Sequence, residues 1–244
     1  MSIIWLNSRR FTPPAGEEFW TPAEWGTSIV WYDPRDSSRT SNLITGVQDK
    51  SGGGRHLTAT VGQRPAYIAD WLNGQPAMNY GAALNNNRLS WTGTAFDPVR
   101  TFGVAHYEGP DPIVGFTGLL SYPFATNASL LLAEAPNQWF GLRPVFLNGV
   151  ETSSNIAMPT IAAPFLWADD IAPSAGRNTI WVGADRFEFN RGWRGKIGQV
   201  IITLFLPTLR ERRIVTGWLA WEYELEWLLP ADHPFRNRRP TLSD

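Results

Sequence analysis

Residues 197–206, Ile-Gly-Gln-Val-Ile-Ile-Thr-Leu-Phe-Leu, constrain this chain more than any other stretch. Read as a strand, the run sends Val200, Ile202 and Leu204 to one side and Ile201, Thr203 and Phe205 to the other. Both sides are largely apolar, so the strand must lie inside a sheet that is covered on each face. A chain of 244 residues, 43% of them hydrophobic, is long enough to supply both covering layers within one domain.

The rest of the chain supports an all-β reading. Residues 28–32 form a β-branched and aromatic run that ends in the turn chemistry of Asp33, Pro34, Arg35 and Asp36. Residues 47–54 read as a turn-rich unit in which Gly52, Gly53 and Gly54 permit left-handed backbone. A short strand is expected at 57–61. The dipeptides Asn73-Gly74 and Asn148-Gly149 mark tight hairpins. Further strands are expected at 77–80, 100–107, 118–121, 129–132, 139–142, 144–147 and 179–183. Residues 158–174 are rich in Pro and Ala and read ambiguously. No repeat of 20–50 residues is evident.

The pattern changes after Pro207. Thr208 and Glu211 have the spacing of a capping box, in which each side chain serves the other's backbone N–H at a helix start. Leu209, Ile214, Trp218, Trp221 and Leu225 share a helical face, which predicts one helix over about 208–227, stopped by Pro230. Residues 1–27, with Pro13, Pro14, Gly16, Pro22 and Gly26, read as an extended arm. Its aromatics Trp5, Phe11, Phe19, Trp20 and Trp25 need burial, either on the chain's own domain or as an anchor in a neighbouring subunit. The domain proper is expected over 28–236, with a loose polar tail over 237–244.

Composition removes several classes of function. The net charge of −1 lacks the basic footprint of a nucleic-acid binder. With no cysteine there is no disulfide, no thiolate chemistry and no Cys-based zinc site. No run approaches the roughly 20 apolar residues of a membrane-spanning helix. At the N-terminus the apolar run precedes the Arg9-Arg10 pair, the reverse of a signal peptide, so the protein is expected to be made in a cytoplasm. Thirteen Trp and thirteen Phe suit half-buried sheets and interfaces.

Several motifs, in order, resemble those of the concanavalin A-like (laminin-G-like) jelly-roll domains found in phage virion proteins. They are Trp31-Tyr32-Asp33-Pro34-Arg35-Asp36, then Gln48-Asp49-Lys50-Ser51-Gly52-Gly53-Gly54, Pro65-Ala66-Tyr67, and Asn73-Gly74-Gln75-Pro76-Ala77-Met78-Asn79-Tyr80-Gly81. Trp193-Arg194-Gly195-Lys196-Ile197-Gly198-Gln199-Val200 follows, with Gln199 where the family pattern has Glu. The Trp218-to-Leu225 helix and the Leu229-to-Phe235 tail complete the series. The resemblance spans about 28–240. It implies an all-β sandwich of two antiparallel sheets with one C-terminal helix packed on it. It further implies a virion structural protein in a tail, fibre or head-decoration position. Other virion proteins, further copies of the chain and a host-surface glycan are the expected partners. A carbohydrate-binding module or adhesin outside a virion is the alternative, and a glycan hydrolase a more distant one.

Catalytic patterns are sparse, and no enzyme activity is expected. Glycanases of this fold class align two carboxylates in one cleft. Glu222, Glu224 and Glu226 fall on the predicted helix, where i and i+2 diverge. Asp169, Asp170 and Glu188 lack a patterned partner, and Asp185 is oddly spaced from Glu188. His56, His106 and His233 read as structural donors, and no nucleophile elbow or phosphate loop is present. Asp33, Asp36 and Asp49 offer hard oxygens, a weak calcium pattern. Glycan contact would draw on Asn85, Asn86, Asn87, Trp91, Trp139 and Arg191. Trp193 is a further aromatic candidate, but its motif position favours a core role.

Overall fold

The computed structural model describes residues 15–83, 85–109, 117–122, 129–134, 138–140, 145–152, 163–171, 176–185 and 191–244. Among these residues fifteen strands follow one another: β1 (Ile29–Thr40), β2 (Leu43–Asp49), β3 (Leu57–Thr58), β4 (Ala66–Leu72), β5 (Gln75–Gly81), β6 (Leu89–Phe96), β7 (Arg100–Tyr107) and β8 (Thr117–Ser121) come first. Then come β9 (Ser129–Glu134), β10 (Gln138–Phe140), β11 (Val145–Leu147), β12 (Val150–Thr152), β13 (Phe165–Asp170), β14 (Arg177–Val182) and β15 (Gly195–Thr203). Helix α1 (Leu209–Glu222) closes the fold, with single 3-10 segments at Pro22–Ser28 and Glu226–Leu228.

All pairings are antiparallel. The strand order is β10-β9-β8-β14-β6-β3-β2-β4-β5-β15-β7-β13-β11-β12, with β1 beside both β15 and β2. The two separate sheets expected from the sequence are therefore hydrogen-bonded into one ladder through β3, β2 and β4. The halves of that ladder turn toward a shared core. Leu89, Leu120, Ile180 and Val182 from one half meet Phe165, Trp167, Ile197 and Val200 from the other. Tyr80 Oη donates to the Val182 carbonyl within this core at 3.1 Å.

The doubly apolar strand behaves as its pattern requires. Val200 and Ile202 enter the core between the ladder's halves, with Leu204 packed beside them. Ile201 faces the opposite side, with Phe205 beside it, under α1. Its neighbours split the same way. Val30 and Tyr32 of β1, and Phe165 and Trp167 of β13, face inward. Ile29, Trp31, Leu166 and Ala168 face the helix, where Ile214, Val215, Trp218 and Leu219 cover them. Both Asn-Gly turns form as expected. Asn73 and Gly74 have φ of 50° and 67°, and Asn148 and Gly149 have 52° and 82°, the left-handed pair that lets a two-residue turn match strand twist.

Several expectations are corrected. β1 does not stop at Asp33 but runs to Thr40, with an irregularity in its pairing to β2 between Tyr32 and Ser37 that accommodates Pro34. The unit at 47–54 begins as the end of β2, and only its second half is a turn. β13 lies inside the ambiguous Pro/Ala-rich stretch. The helix ends at Glu222, five residues early. Tyr223 N–H still bonds Leu219 O, but Glu224 turns left-handed at φ 52° so that Leu225 can bury beneath the helix. Pro230 is not the stop.

The chain's ends also depart from expectation. Residues 22–28 form a 3-10 turn where an extended arm is expected. Trp20 is buried against Trp218, their rings 6.2 Å apart, and Trp25 packs on Phe205. Phe19 bridges Thr241. This part of the arm thus packs on its own domain, while Trp5 and Phe11 lie outside the described residues. The tail expected to be loose is pinned. Trp20 N–H bonds Pro240 O, Leu242 N–H bonds Glu18 O, and Arg238 pairs with Asp244.

Candidate functional site

The turn after β2 is organised by one buried carboxylate. Asp49 Oδ1 accepts from Trp31 N–H (3.1 Å), Ser51 N–H (3.0 Å) and Ser51 Oγ (2.6 Å). Its Oδ2 accepts from Arg55 N–H at 3.2 Å. Its own N–H donates to His56 Nδ1 at 3.0 Å. The Lys-Ser-Gly-Gly-Gly-Arg-His segment is therefore folded around Asp49, with Gly52 and Gly54 at φ 81° and 73° closing the loop. Tyr32 Oη donates to Arg55 O from beneath. Burial, with the nearby Asp49 charge, pushes that phenol's pKa well up, so it stays a donor.

Asp33 and Asp36 are also engaged. Buried Asp33 accepts from Arg35 N–H at 2.9 Å and Arg35 Nε at 2.8 Å. Lys50 Nζ lies 3.4 Å from Asp33, 3.1 Å from Asp36 and 4.4 Å from the Trp31 ring centre. Arg35 continues to Glu222 at the end of α1 (3.7 Å), which Arg239 pairs as well. The oxygens expected to attract calcium thus face a lysine ammonium and a guanidinium, and those of Asp49 face N–H and O–H donors. This donor set does not fit a divalent cation. Among the described residues no group of three or more His, Asp or Glu could hold one.

The Asn85–Asn87 loop and Arg191 are brought together. Asn85 Nδ2 reaches the carbonyls of Tyr80 (2.8 Å), Ala83 (2.9 Å) and Trp193 (3.2 Å), while its Oδ1 accepts from Asn87 N–H. Asn87 Nδ2 donates to Tyr80 O, and Gly192 N–H to Asn85 O. Arg191 Nη1 pairs at 3.0 Å with Asp185, whose side chain is wholly buried. Asn85 stitches the β5–β6 connection to the segment entering β15, and the guanidinium ties that segment to the end of β14. Asn86 also has a partner of its own. Trp91 lies in an edge contact with Phe96 on the inner core's margin, 5.4 Å between ring centres. It does not share a site with the loop's hydrogen bonds. Trp193 takes the core role, against Tyr107 and Phe165. Trp139 pairs through its backbone with Ala133; its side chain lies outside the description.

Among the described residues these acids do not converge. Asp170 pairs with Arg100 and Glu222 with Arg239, and Glu224 and Glu226 lie past the helix end; Glu188 lies outside the described residues. His56 is spent on Asp49, and His106 lies 3.3 Å from Glu108. His233 Nδ1 accepts from Phe235 N–H. Burial, and then the charge of Arg213, push the His233 pKa down to about 4.

One feature has no counterpart among the sequence expectations. A groove of about 330 Å³ runs between the first turns of α1 and the C-terminal tail, lined by Leu209, Arg210, Arg213, Pro234, Phe235, Arg238 and Asp244. The runs Arg210-Glu211-Arg212-Arg213 and Arg236-Asn237-Arg238-Arg239 carried the signal. A near-zero total charge hid it, as did the expectation of a loose tail. No family model, curated protein or solved structure matches the chain. Among the described residues no helix is long and apolar enough to cross a membrane.

Proposed function

We propose that this chain is a virion structural protein of the phage type, in a tail, fibre or head-decoration position, presenting a concanavalin A-like jelly-roll sandwich and working by assembly and display rather than catalysis. The observation that carries the reading is the connected role of the motif residues. Asp49 holds the glycine turn and Trp31 N–H; the Trp31 indole bonds Gln199; Gln199 N–H bonds Tyr223 Oη at the end of α1. The motifs that carry the resemblance therefore meet in one framework that ties β1, β15 and the helix together.

The groups that would build a glycan or catalytic cleft support the same reading, because Asn85, Asn87, Arg191 and Asp185 spend their hydrogen bonds inside the fold. Assembly with other virion proteins and with further copies of the chain is then the principal role. The test is to express an epitope-tagged chain during particle production, purify the particles on a density gradient, and label them with gold-conjugated antibody. Label at one repeated position on the particles is expected. Tagged protein confined to the particle-free fraction would refute the reading.

A further inference from the structure

The groove at the start of α1 carries charge that the fold does not use. Of its three arginines, Arg238 is neutralised by Asp244. Asp244 also accepts from Thr241 N–H (2.9 Å) and Thr241 Oγ1 (3.1 Å), so its acceptor capacity is spent on the tail. Arg210 donates once, to the Ser243 carbonyl at 3.3 Å. The Arg213 side chain is exposed and makes no hydrogen bond or ion pair among the described residues. The acid on the same turn, Glu211, is bent back into the capping box with Thr208. Two guanidinium groups three residues apart therefore stand on one helix face with most of their donors free. Leu209 lies beside them, 53% exposed.

We propose that this groove docks a short acidic peptide segment of a partner protein, with two carboxylate side chains on Arg210 and Arg213 and an apolar side chain against Leu209. Charge complementarity selects the occupant: an arginine fork pairs carboxylates in a bidentate way. The apolar contact favours a peptide over an acidic sugar. The groove's single aromatic ring, Phe235, is 3% exposed, and the Arg238 guanidinium lies 4.9 Å from its centre, so no ring face is open for a sugar to stack on. The proposal stands whether or not the chain is a virion protein. Of the motif residues only Pro234 and Phe235 line this surface, and the arginines that would bind the peptide lie outside the motifs.

The test uses the full chain and an oligoglutamate peptide that includes leucine. Matched arms hold a glutamine-for-glutamate peptide, an oligogalacturonate and inorganic phosphate. His233 offers an internal reporter: Arg213 depresses its basicity, so an anion on Arg213 raises its pKa, read by NMR. Binding of the acidic peptide that weakens with salt, falls at least about tenfold in the R210Q/R213Q double variant and raises the His233 pKa supports the proposal. It is overturned if the acidic peptide does not bind, or binds the double variant equally well. It is also overturned if the glutamine peptide binds as tightly, or if galacturonate or phosphate does, since the site would then be a sugar site or an unspecific anion site. Both substitutions lie at exposed positions, and an unchanged melting temperature confirms that the variant is folded.

Discussion

The indole N–H of Trp31 donates to Oε1 of Gln199 at 2.8 Å, joining β1 to β15 across 168 residues of sequence. Gln199 is fully buried, and its N–H bonds the Tyr223 hydroxyl in turn. Gly198 gives way to that ring, since a Cβ there would come 2.5 Å from Tyr223 Oη. The contact lies where the outer core, the central strand and the end of the helix meet. Replacing Trp31 with Phe removes the donor and strands a buried amide, at a cost of about 1–3 kcal/mol. Urea unfolding measures it. The W31F/Q199L double variant should recover part of the loss, because both polar partners are then gone; additive losses would show that the bond is not the cause.

Asp49 predicts a result about metals. Its carboxylate serves four donors from Trp31, Ser51 and Arg55, and Lys50 lies between Asp33 and Asp36. Calcium or a chelator should leave the thermal midpoint unchanged. Asp49→Ala should open the 50–56 turn to protease and cost about 3 kcal/mol or more, as several buried donors lose their acceptor. A calcium-dependent rise in the midpoint would restore the metal reading.

Gly217 sets two effects against each other. Alanine is the better helix former by about 1 kcal/mol. A Cβ at this site, however, would approach the Phe235 Cβ to 2.5 Å, where the tail crosses α1. Overpacking costs about 1–3 kcal/mol, so G217A should lower the melting temperature. A rise would mean that the tail is not held there.

Trp20 tests the role of the arm. Its ring packs in the outer core against Trp25 and Trp218. Trp20→Ala should cost about 3–5 kcal/mol in denaturant titration. Deletion of residues 1–27 should therefore damage folding, whereas deletion of residues 1–14 spares this contact. Equal stability of the wild type and W20A would return the whole arm to a docking role.

His233 makes stability depend on pH. Burial, then Arg213, hold its folded pKa near 4 against an unfolded value of about 6.5, with Asp232 opposing weakly. The unfolded chain gains a proton below about pH 6.5 that the folded chain refuses until about pH 4. This contribution is fully present above pH 6.5 and drains away as pH falls through that window, by on the order of 2–3 kcal/mol. His233→Asn can keep the acceptor for Phe235 N–H. Comparing unfolding of the two proteins at pH 7.5 and pH 5 should show a shallower pH slope for the variant, and equal slopes would reject the assignment.

The sequence was legible where one local rule acted alone. The alternation of Val200, Ile201 and Ile202, the two Asn-Gly turns and the Thr208–Glu211 box all formed as read, because each rests on neighbours within a few residues. What escaped depended on distant partners. Phe165, Leu166 and Trp167 bury on alternate faces, and a continuous apolar run does not announce a strand by itself. The helix end was set by Leu225 seeking the core rather than by Pro230. Asn85, Asn87 and Arg191 looked like loop side chains free to bind. Their partners are set by the fold: the segment entering β15 bonds Asn85 through Gly192 and Trp193, Asn87 turns back to Tyr80, and Arg191 pairs with Asp185 beyond β14.

The most direct measurement is quantitative mass spectrometry of gradient-purified particles from a strain producing this chain. A display role in an ordered assembly predicts a constant number of copies per particle, in ratio to the major structural protein and retained through a high-salt wash. Absence from the particle band, or a trace amount that the wash removes, would contradict it.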